Sequence, residues 1–275
     1  MADSDIDEIG PWSEVKLDIV REYAQTYSQI LSAQKKPRLY HVYIDAFAGP
    51  GVHISRATKE FIPGSPLNAL NVRPTFSEYH FIDIKQARVE ALQQVAQQRA
   101  NVFVHEGDCN QVLLRKVFPK VLYEDFRRGL CLLDPYGLHL DWQVIYTAGQ
   151  MKSVEIFLNF PIMDMNMNVL KHNQDAVPPE QAVRMTRYWG DESWKSAAYS
   201  TTGNLFGYEE KTDNEAITEA FRKRLLRIAG FKHVSRSLAM RNSRDAVVYY
   251  LFFASPKPVA LEIIEDIFRK HEKRL

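Results

Sequence analysis

A short segment near the start of the chain combines an acid with a glycine turn. The apolar run that ends at Asp45 leads directly into Phe47-Ala48-Gly49-Pro50-Gly51. Glycine has no Cβ, so Gly49 and Gly51 let the backbone turn sharply and approach a ligand closely. A carboxylate beside such a turn suits an amino or hydroxyl group of the ligand. We therefore predict that this segment binds a nucleoside-type cofactor.

Acids also follow three later strands that the sequence predicts. Asp83 ends the run 78–83, Asp108 follows the run 102–106, and Asp134 ends the run 129–134. In open α/β sheets, ligands bind beyond the carboxyl ends of the strands. We expect Asp83 to accept hydrogen bonds from ribose hydroxyls and Asp108 to accept one from an adenine amino group. A single acid at such a position can also be a helix N-cap, so the repeated position is what favours a binding site.

The segment Asp134-Pro135-Tyr136-Gly137 is the candidate reactive loop. Proline fixes the local backbone and hence the direction of the neighbouring groups. The Asp134 carboxylate can accept hydrogen bonds from a substrate amine. Tyr136 can stack on a planar base, a contact worth about 1–3 kcal/mol. The alternative interpretation is an Asx-Pro turn that ends a buried strand.

Strand-like and helical patterns alternate along the chain, which predicts an α/β sheet with helices on both faces. The predicted strands cover residues 40–45, 78–83, 102–106, 129–134, 153–160, 231–238 and 246–254. The length of 275 residues fits a single domain. Residues 162–230, rich in methionine and aromatic residues, are predicted to form an inserted helical cap. Residues 52–64 form a loop longer than a crossover needs, which is typical of functional loops.

The net charge of +1 neither favours nor excludes a nucleic-acid ligand. The basic residues, however, are concentrated between residues 220 and 244, where no acid occurs. Such a run is either a solvated helix face or a surface that contacts phosphates. On the second interpretation, the predicted nucleic-acid contacts are Arg222, Arg224, Arg227, Arg241 and Arg244.

The remaining chemistry of the sequence indicates an intracellular protein without a metal site. Cys109 and Cys131 have no further cysteine or histidine at metal-ligand spacing, and reduced thiols are the simplest interpretation. The histidines show no paired metal-ligand spacing either. No apolar run is long enough to cross a bilayer, and the acidic N-terminus lacks the apolar core of a secretory signal. We expect a cytoplasmic protein that does not bind membranes.

An ordered set of short motifs resembles the three-Cys-motif partner protein family, over about residues 12 to 270. The similar segments are Tyr43-Ile44-Asp45-Ala46-Phe47-Ala48-Gly49-Pro50-Gly51, Pro63-Gly64-Ser65-Pro66, Phe81-Ile82-Asp83, Gly107-Asp108, Leu133-Asp134-Pro135-Tyr136-Gly137, Leu158-Asn159-Phe160-Pro161, Leu205-Phe206-Gly207 and Val248-Tyr249-Tyr250-Leu251-Phe252-Phe253-Ala254-Ser255.

The resemblance implies a class I methyltransferase-like Rossmann sheet that binds S-adenosylmethionine. The cofactor-binding positions would be Asp45, Phe47, Ala48, Gly49, Gly51, Asp83 and Asp108. The family is named after a neighbouring three-cysteine protein, which is therefore a possible partner. The Asp134-Pro135-Tyr136 loop also resembles the D-P-P-Y loop of amino-directed nucleic-acid methyltransferases, with one proline missing.

Three functions follow as hypotheses. The first is an S-adenosylmethionine-dependent methyltransferase that acts on an amino group of a nucleic-acid base, with Asp134, Pro135 and Tyr136 at the reacting centre. There, a substrate amine would attack the methyl group of the cofactor, and the protein would contribute mainly by positioning the two groups. The second is an accessory protein that binds the cofactor, docks on a three-cysteine protein and does no chemistry. The third is methylation of a small molecule or a protein.

Overall fold

A computed structural model describes residues 6–172, 176–200 and 210–275, apart from the side chains of residues 200 and 210. The strands in chain order are β1 Glu8–Ile9, β2 Tyr40–Asp45, β3 Val52–Ser55, β4 Phe61–Pro63, β5 Glu78–Asp83, β6 Val102–Glu106, β7 Arg127–Leu133, β8 Val154–Phe160, β9 Tyr199–Ser200, β10 Glu210–Lys211, β11 His233–Val234, β12 Leu238–Arg241 and β13 Val247–Ser255. Eight of them form the central sheet.

The five central strands are parallel, in the order β6-β5-β2-β7-β8. The chain leaves β2 toward β5 on one side and returns to β7 on the other, so β2 and β7 flank the topological switch point. Strand β13 is antiparallel to β8, with Tyr250 opposite Phe160. The start of β13 therefore lies at the carboxyl edge of the parallel strands. The predicted Rossmann-like α/β sheet is confirmed.

Helices cover both faces of the sheet. They are α1 Pro11–Ala33, α2 Ser65–Leu70, α3 Gln86–Ala96, α4 Cys109–Val112, α5 Trp142–Met151, α6 Ile162–Asn168, α7 Pro179–Trp189, α8 Trp194–Ala198, α9 Asn214–Arg227 and α10 Pro258–Glu272. One core cluster packs α1, α2, α3 and α10 against the sheet, and the other packs α4 to α9 against the opposite face. Apolar side chains are thus removed from water on both faces of the sheet, and this burial is the main favourable contribution to folding.

Helix α1 shows how the sequence pattern becomes packing. Val15, Ile19 and Tyr23 recur at four-residue spacing and are buried, as an amphipathic helix requires. Tyr23 contacts Phe253 of β13, with 4.5 Å between the ring centroids. The helix is therefore fixed across the strands whose carboxyl ends carry the predicted site.

The described part of residues 162–230 contains α6 to α9 and the short strands β9 and β10. Its large aromatic side chains, including Tyr188, Trp189 and Phe221, are buried in the same core cluster as β8 and α5. The segment is thus continuous with the helical layer on that face, and its role as a cap stays a prediction. The similar segment at residues 205–207 lies outside the described residues.

Two predicted elements differ from the structure. The strand expected at 231–238 is not continuous: only β11 lies inside it and β12 begins at its last residue, while Arg236 between them forms ion pairs with Glu265 and Glu272 of α10. The long loop at 52–64 is a β-hairpin, in which Val52 pairs with Pro63.

Both predicted free thiols, Cys109 and Cys131, are buried and form no disulfide.

Within residues 6–172, 176–200 and 210–275, no helix is long and apolar enough to cross a membrane.

Candidate functional site

A cleft of about 510 Å³ opens at the carboxyl edge of the sheet, beside the switch point between β2 and β7. Its floor includes the Phe47-Ala48-Gly49 turn, the Asp134-Pro135-Tyr136 loop and Asn159 at the end of β8. Helix α1 contributes Trp12, Ser13 and Lys16, and residues 7–10 lie along the rim. The volume is in the range of small-molecule and cofactor sites.

The glycine turn has an unusual backbone conformation and is held by hydrogen bonds to neighbouring elements. Gly49 and Gly51 have φ angles of +63° and +88°, a region that favours glycine. The Gly49 amide donates a hydrogen bond to the Asp83 carboxylate at 2.9 Å. Gly64 donates to the Gly51 carbonyl at 2.8 Å, and a Cβ at Gly64 would lie only 2.9 Å from that oxygen. The β3–β4 hairpin therefore packs directly behind the turn.

Asp45 lies beneath the turn and is fully buried. The Phe47 amide donates to its carboxylate at 3.3 Å, so the acid sets the start of the turn. Burial, with a smaller contribution from the Asp134 charge, raises the pKa of Asp45 to about 7, and the Ser65 hydroxyl opposes this shift. The structure thus places Asp45 as a support of the turn.

Asp83 is braced from two sides at the end of β5. Besides the Gly49 amide, the Lys85 amide donates to it at 2.9 Å, and the Arg88 guanidinium lies 3.9 Å away. Asp108, in contrast, caps α4, because its carboxylate accepts from the Gln111 amide at 3.1 Å. Neither Asp83 nor Asp108 is among the residues that line the cleft. The predicted ribose and adenine contacts of these two acids stay predictions.

The Asp134 carboxylate is held between two side chains. Lys16 of α1 forms an ion pair with one of its oxygens, and the amide nitrogen of Asn159 donates to the other. Burial opposes the charge of Lys16, but Asp134 and, more weakly, Tyr249 outweigh it and raise the pKa of the lysine above its ordinary value. The lysine is therefore a fixed positive charge beside Asp134 at physiological pH.

The polar groups near Asp134 are mainly hydrogen-bond acceptors. Asn159 is only 4% exposed, and its side-chain oxygen has no hydrogen-bond partner among the described residues. Asp164 of α6 also lines the cleft; one of its oxygens accepts from Asn168 at 2.8 Å, and the other has no partner in the described part of the chain. Buried acceptors without donors are costly, so this half of the cleft suits a ligand that brings N–H groups.

Tyr136 stands at the rim of the cleft with 75% of its surface exposed. Its hydroxyl donates a 2.9 Å hydrogen bond to Asp7 of the N-terminal segment. Pro135, the preceding residue, is buried and lines the cleft. The three predicted residues of the reactive loop therefore all face the same space as the glycine turn.

The predicted nucleic-acid contacts lie at two different edges. Arg222 donates to the carbonyl of Ser235 at 2.9 Å, beside β11, which pairs with the last residues of β13. That position is at the amino edge of the parallel strands, away from the cleft. Arg224 packs over Trp142 and pairs with Asp191 at 2.9 Å. Arg227, which is exposed, ends α9.

Arg241 and Arg244 belong to the turn between β12 and β13. Because β13 starts at the carboxyl edge, this turn projects from the same edge as the cleft, which Val248 and Tyr249 help to line. Arg241 donates to the Asp245 carbonyl at 2.9 Å, and Arg244 is exposed. The nucleic-acid contact of all five arginines stays a prediction.

Sequence reasoning missed Lys16, Asp164 and the residues 7–10, and it did not assign Asn159 to the site. The sequence did indicate that Lys16 is buried, since it lies at helical spacing from Val20, Tyr23 and Tyr27, which form the buried face of α1. A charged residue inside an apolar stripe needs a partner. The contribution of residues 7–10 had no such signal.

The residues present fit S-adenosylmethionine. A glycine turn that lines the cleft and is braced by Asp83, together with unpartnered buried acceptors, suits a ligand with hydroxyl and amino groups. No group of three or more His, Cys, Asp or Glu side chains in the described ranges is arranged to hold a metal ion.

Among the comparisons with known proteins, the one with solved structures gives a likeness in fold. No family model matches the sequence, and no curated protein matches it. Among solved structures, protein LPL1258 from Legionella pneumophila str. Philadelphia 1, assigned to the family model DUF519, is similar with a TM-score of 0.54 and 12% identity, covering 92% of this chain and 90% of that one.

Two weaker likenesses involve proteins described as candidate methyltransferases. The Thermobifida fusca YX protein has a TM-score of 0.42 at 12% identity, covering 87% of this chain and 81% of that one. The yhhF protein of Escherichia coli has a TM-score of 0.36 at 12% identity, covering 86% and 85%. Nothing further is argued from either. The chain shares its α/β fold with the Legionella protein, and its membership of the three-Cys-motif partner family stays a prediction.

Proposed function

We propose that the protein is an S-adenosylmethionine-dependent methyltransferase that acts on an amino group of a nucleic-acid base. The observation that carries the proposal is the position of Asp134. Its carboxylate is fixed by Lys16 and Asn159 and faces the same cleft as the glycine turn. An acid held in this way can orient an amine next to a cofactor on that turn.

The cofactor half of the cleft is formed by Phe47, Ala48 and Gly49, with Asp45 and Asp83 supporting the turn. Bound there, S-adenosylmethionine supplies a methyl group activated by a sulfonium cation. The acids that line the cleft outnumber the lysine and arginine residues, which favours a cationic ligand. The acids are Asp7, Glu8, Asp134 and Asp164, and the basic residues are Lys16 and Arg56.

The acceptor half orients an amine by accepting its hydrogens. We assign the Asp134 carboxylate and the Pro135 carbonyl as acceptors for the two N–H groups, which leaves the nitrogen lone pair directed at the methyl group. The cofactor would supply the methyl group and leave as its thioether, and the Asp134 carboxylate would accept the proton that the amine loses. Most of the acceleration would come from this alignment.

The rim of the cleft favours a base as the carrier of the amine. Tyr136 exposes most of its ring beside Pro135, where it can stack on a base that is turned out of its strand. Arg241 and Arg244 project from the same edge, where a phosphate backbone can pass. A small amine would use neither feature.

Calorimetry with S-adenosylmethionine tests the cofactor. We expect a measurable affinity for the wild-type protein, and absence of heat at millimolar cofactor would overturn the proposal. Transfer of a radiolabelled methyl group to RNA, DNA and small polyamines then identifies the acceptor class. Transfer to polyamines alone would refute the assignment to a base.

Asp134→Asn tests the reacting centre. We expect methyl transfer to fall by about 100-fold or more, a usual range for a positioned acid–base group, while cofactor affinity changes less than threefold. Asp141→Asn is the matched control, since Asp141 does not line the cleft and its carboxylate pairs with the exposed Arg187 at 2.7 Å. Equal activity of Asp134→Asn and wild type would show that Asp134 does not orient the acceptor.

The three-cysteine partner rests on the sequence resemblance. Co-expression with the neighbouring three-cysteine protein, followed by purification of the complex, tests it. A stable complex that transfers methyl groups when neither protein alone does so would favour the accessory function.

A further inference from the structure

The N-terminal residues 6–10, here called the strap, cross the open side of the cleft. Strand β1 in the strap pairs in parallel with β3, with Glu8 opposite Ile54. The Ile54 amide donates to the Asp7 carbonyl at 3.1 Å, and the Arg56 amide donates to the Ile9 carbonyl at 2.9 Å. The strap is thereby joined to the hairpin that packs behind the glycine turn.

Asp7 in the strap connects the two halves of the cleft. Arg88 donates to both oxygens of its carboxylate, at 3.0 and 2.8 Å, and Tyr136 donates to it at 2.9 Å. Arg88 lies beside Asp83, at the end of β5, whereas Tyr136 belongs to the loop after β7. One carboxylate therefore bridges the proposed ribose end and the proposed acceptor end.

The strap is held by few interactions. Strands of two residues are too short to be stable alone, and the exposed pair between Glu8 and Lys59 adds little. The strap meets α1 at Gly10, where a Cβ would lie 2.4 Å from the Trp12 ring. Opening requires mainly the loss of the Asp7 contacts, and these are charge-assisted, which makes them the stronger ones.

We propose that the strap closes over the bound cofactor and that Asp7 is a positioning residue, which retains the cofactor and fixes Tyr136 over the acceptor. The proposal rests on the proposed function, because it assumes S-adenosylmethionine in the cleft. Because residues 7–10 line the cleft and cross its open side, we expect them to move aside when a cofactor of that size enters. When the strap closes, the Asp7 carboxylate again joins Arg88 to Tyr136. Cofactor binding would thereby fix the position of Tyr136 at the acceptor end of the cleft.

Dissociation of S-adenosylmethionine, followed by stopped-flow fluorescence of Trp12, tests the proposal. We expect Asp7→Ala to raise the dissociation rate constant about tenfold, as expected for loss of a hydrogen bond to a charged group. Asp7→Asn keeps an acceptor for Tyr136, so its dissociation rate constant should lie between those of the wild type and Asp7→Ala. Glu60→Gln is the matched control, because Glu60 is an exposed acid between β3 and β4 that does not line the cleft, and it should release the cofactor within twofold of the wild type.

Hydrogen exchange provides a readout that does not depend on activity. The amides of Ile54 and Arg56 should exchange more slowly when cofactor is added to the wild type, and this protection should be lost in Asp7→Ala. In turnover, KM for the cofactor should rise more than kcat falls. If a folded Asp7→Ala variant releases the cofactor at the wild-type rate and keeps the protection of these amides, the proposed role of the strap is wrong. The methyltransferase proposal would not be affected by that result. A wild type that does not bind the cofactor would overturn both.

Discussion

Asp134 depends on two neighbours from distant parts of the chain. Lys16 compensates its negative charge, and Asn159 fixes the direction of the second oxygen. The backbone carbonyl of Asn159 in turn accepts a 3.0 Å hydrogen bond from the Tyr188 hydroxyl. The orientation of the acid is therefore a property of a connected set of side chains and not of the loop alone.

Lys16→Met should impair the function of Asp134 while leaving the Asp134 side chain in place. The stem of the side chain is kept, but Asp134 loses its counter-charge, so we expect unfolding to become easier by about 1–3 kcal/mol. Methyl transfer should fall at least tenfold. Because the two residues act as a unit, Lys16→Met with Asp134→Asn should lose no more activity than the worse single variant. Chemical denaturation and turnover measure the two effects, and additive losses would contradict the coupling.

Glu155 predicts a pH dependence of stability away from the cleft. It is buried, and it accepts hydrogen bonds from Tyr23 at 2.6 Å and Ser255 at 2.9 Å. Burial raises its pKa from 4.5 to about 7, although these hydrogen bonds oppose the shift. Between pH 4.5 and 7, Glu155 is ionised in the unfolded state but still protonated in the folded state. The free energy of unfolding therefore falls as the pH rises from about 4.5 through 7.

Glu155→Gln removes this titration. Relative to the wild type, the variant should gain roughly 2 kcal/mol in unfolding free energy between pH 5 and pH 8, since one pKa unit corresponds to about 1.4 kcal/mol. Guanidinium denaturation at the two pH values measures the gain. An equal difference between the proteins at both values would show that Glu155 does not titrate in this range.

At the scale of elements, the glycine turn and the β3–β4 hairpin form one unit. Gly64→Ala tests their contact, because the added Cβ would lie 2.9 Å from the Gly51 carbonyl oxygen. We expect a loss of about 1–3 kcal/mol from overpacking and a cofactor affinity about tenfold lower. Calorimetry on the folded protein measures the affinity.

Gly149→Ala is the control for that substitution. Its Cβ would lie 2.1 Å from the Ala229 carbonyl oxygen, between α5 and the residues after α9. The variant should also be destabilised, but its cofactor affinity should stay unchanged. A similar loss of affinity in both variants would mean that the effect is general and does not come from the turn.

Regular elements were predictable where the apolar pattern was strong. The bounds of β2, β5 and β6 agree with the sequence, because each is an apolar run that ends at or near an acid. The hairpin at 52–64 was not predictable, since the short strands β3 and β4 owe their pairing to each other and to β1. In the same way, the acids at strand ends revealed the floor of the cleft, whereas Lys16 and Asp7 reach it only through tertiary packing.

At the scale of the molecule, the two edges of the sheet predict different roles for the arginines. Arg241 and Arg244 lie at the carboxyl edge with the cleft. Arg227 ends α9 close to Ala229, whose carbonyl accepts from Gln150 at the end of α5, and this places it toward the amino edge. If RNA is the substrate, only the first pair should contribute to its binding.

Arg241→Ala combined with Arg244→Ala should weaken RNA binding and reduce the slope of log affinity against log salt by about 1–2, because each phosphate contact contributes about 0.7–0.9. Filter binding at several salt concentrations measures the slope. Arg227→Ala should leave both quantities unchanged. A larger effect of Arg227→Ala than of the double variant would place the nucleic acid at the opposite edge.

The contact between Lys16 and Asp134 spans 118 residues, and the one between Tyr136 and Asp7 spans 129. Lys16 also lies 5.4 Å from the ring centre of Tyr249, near the end of the chain. During synthesis the helix that carries Lys16 emerges before Asp134 and Tyr249, so its contacts with them form only after most of the sheet has been made. Contacts of such high sequence separation form late in folding. A nascent or truncated chain that lacks β13 should therefore have no working cleft, so cofactor affinity would report that the whole domain is complete.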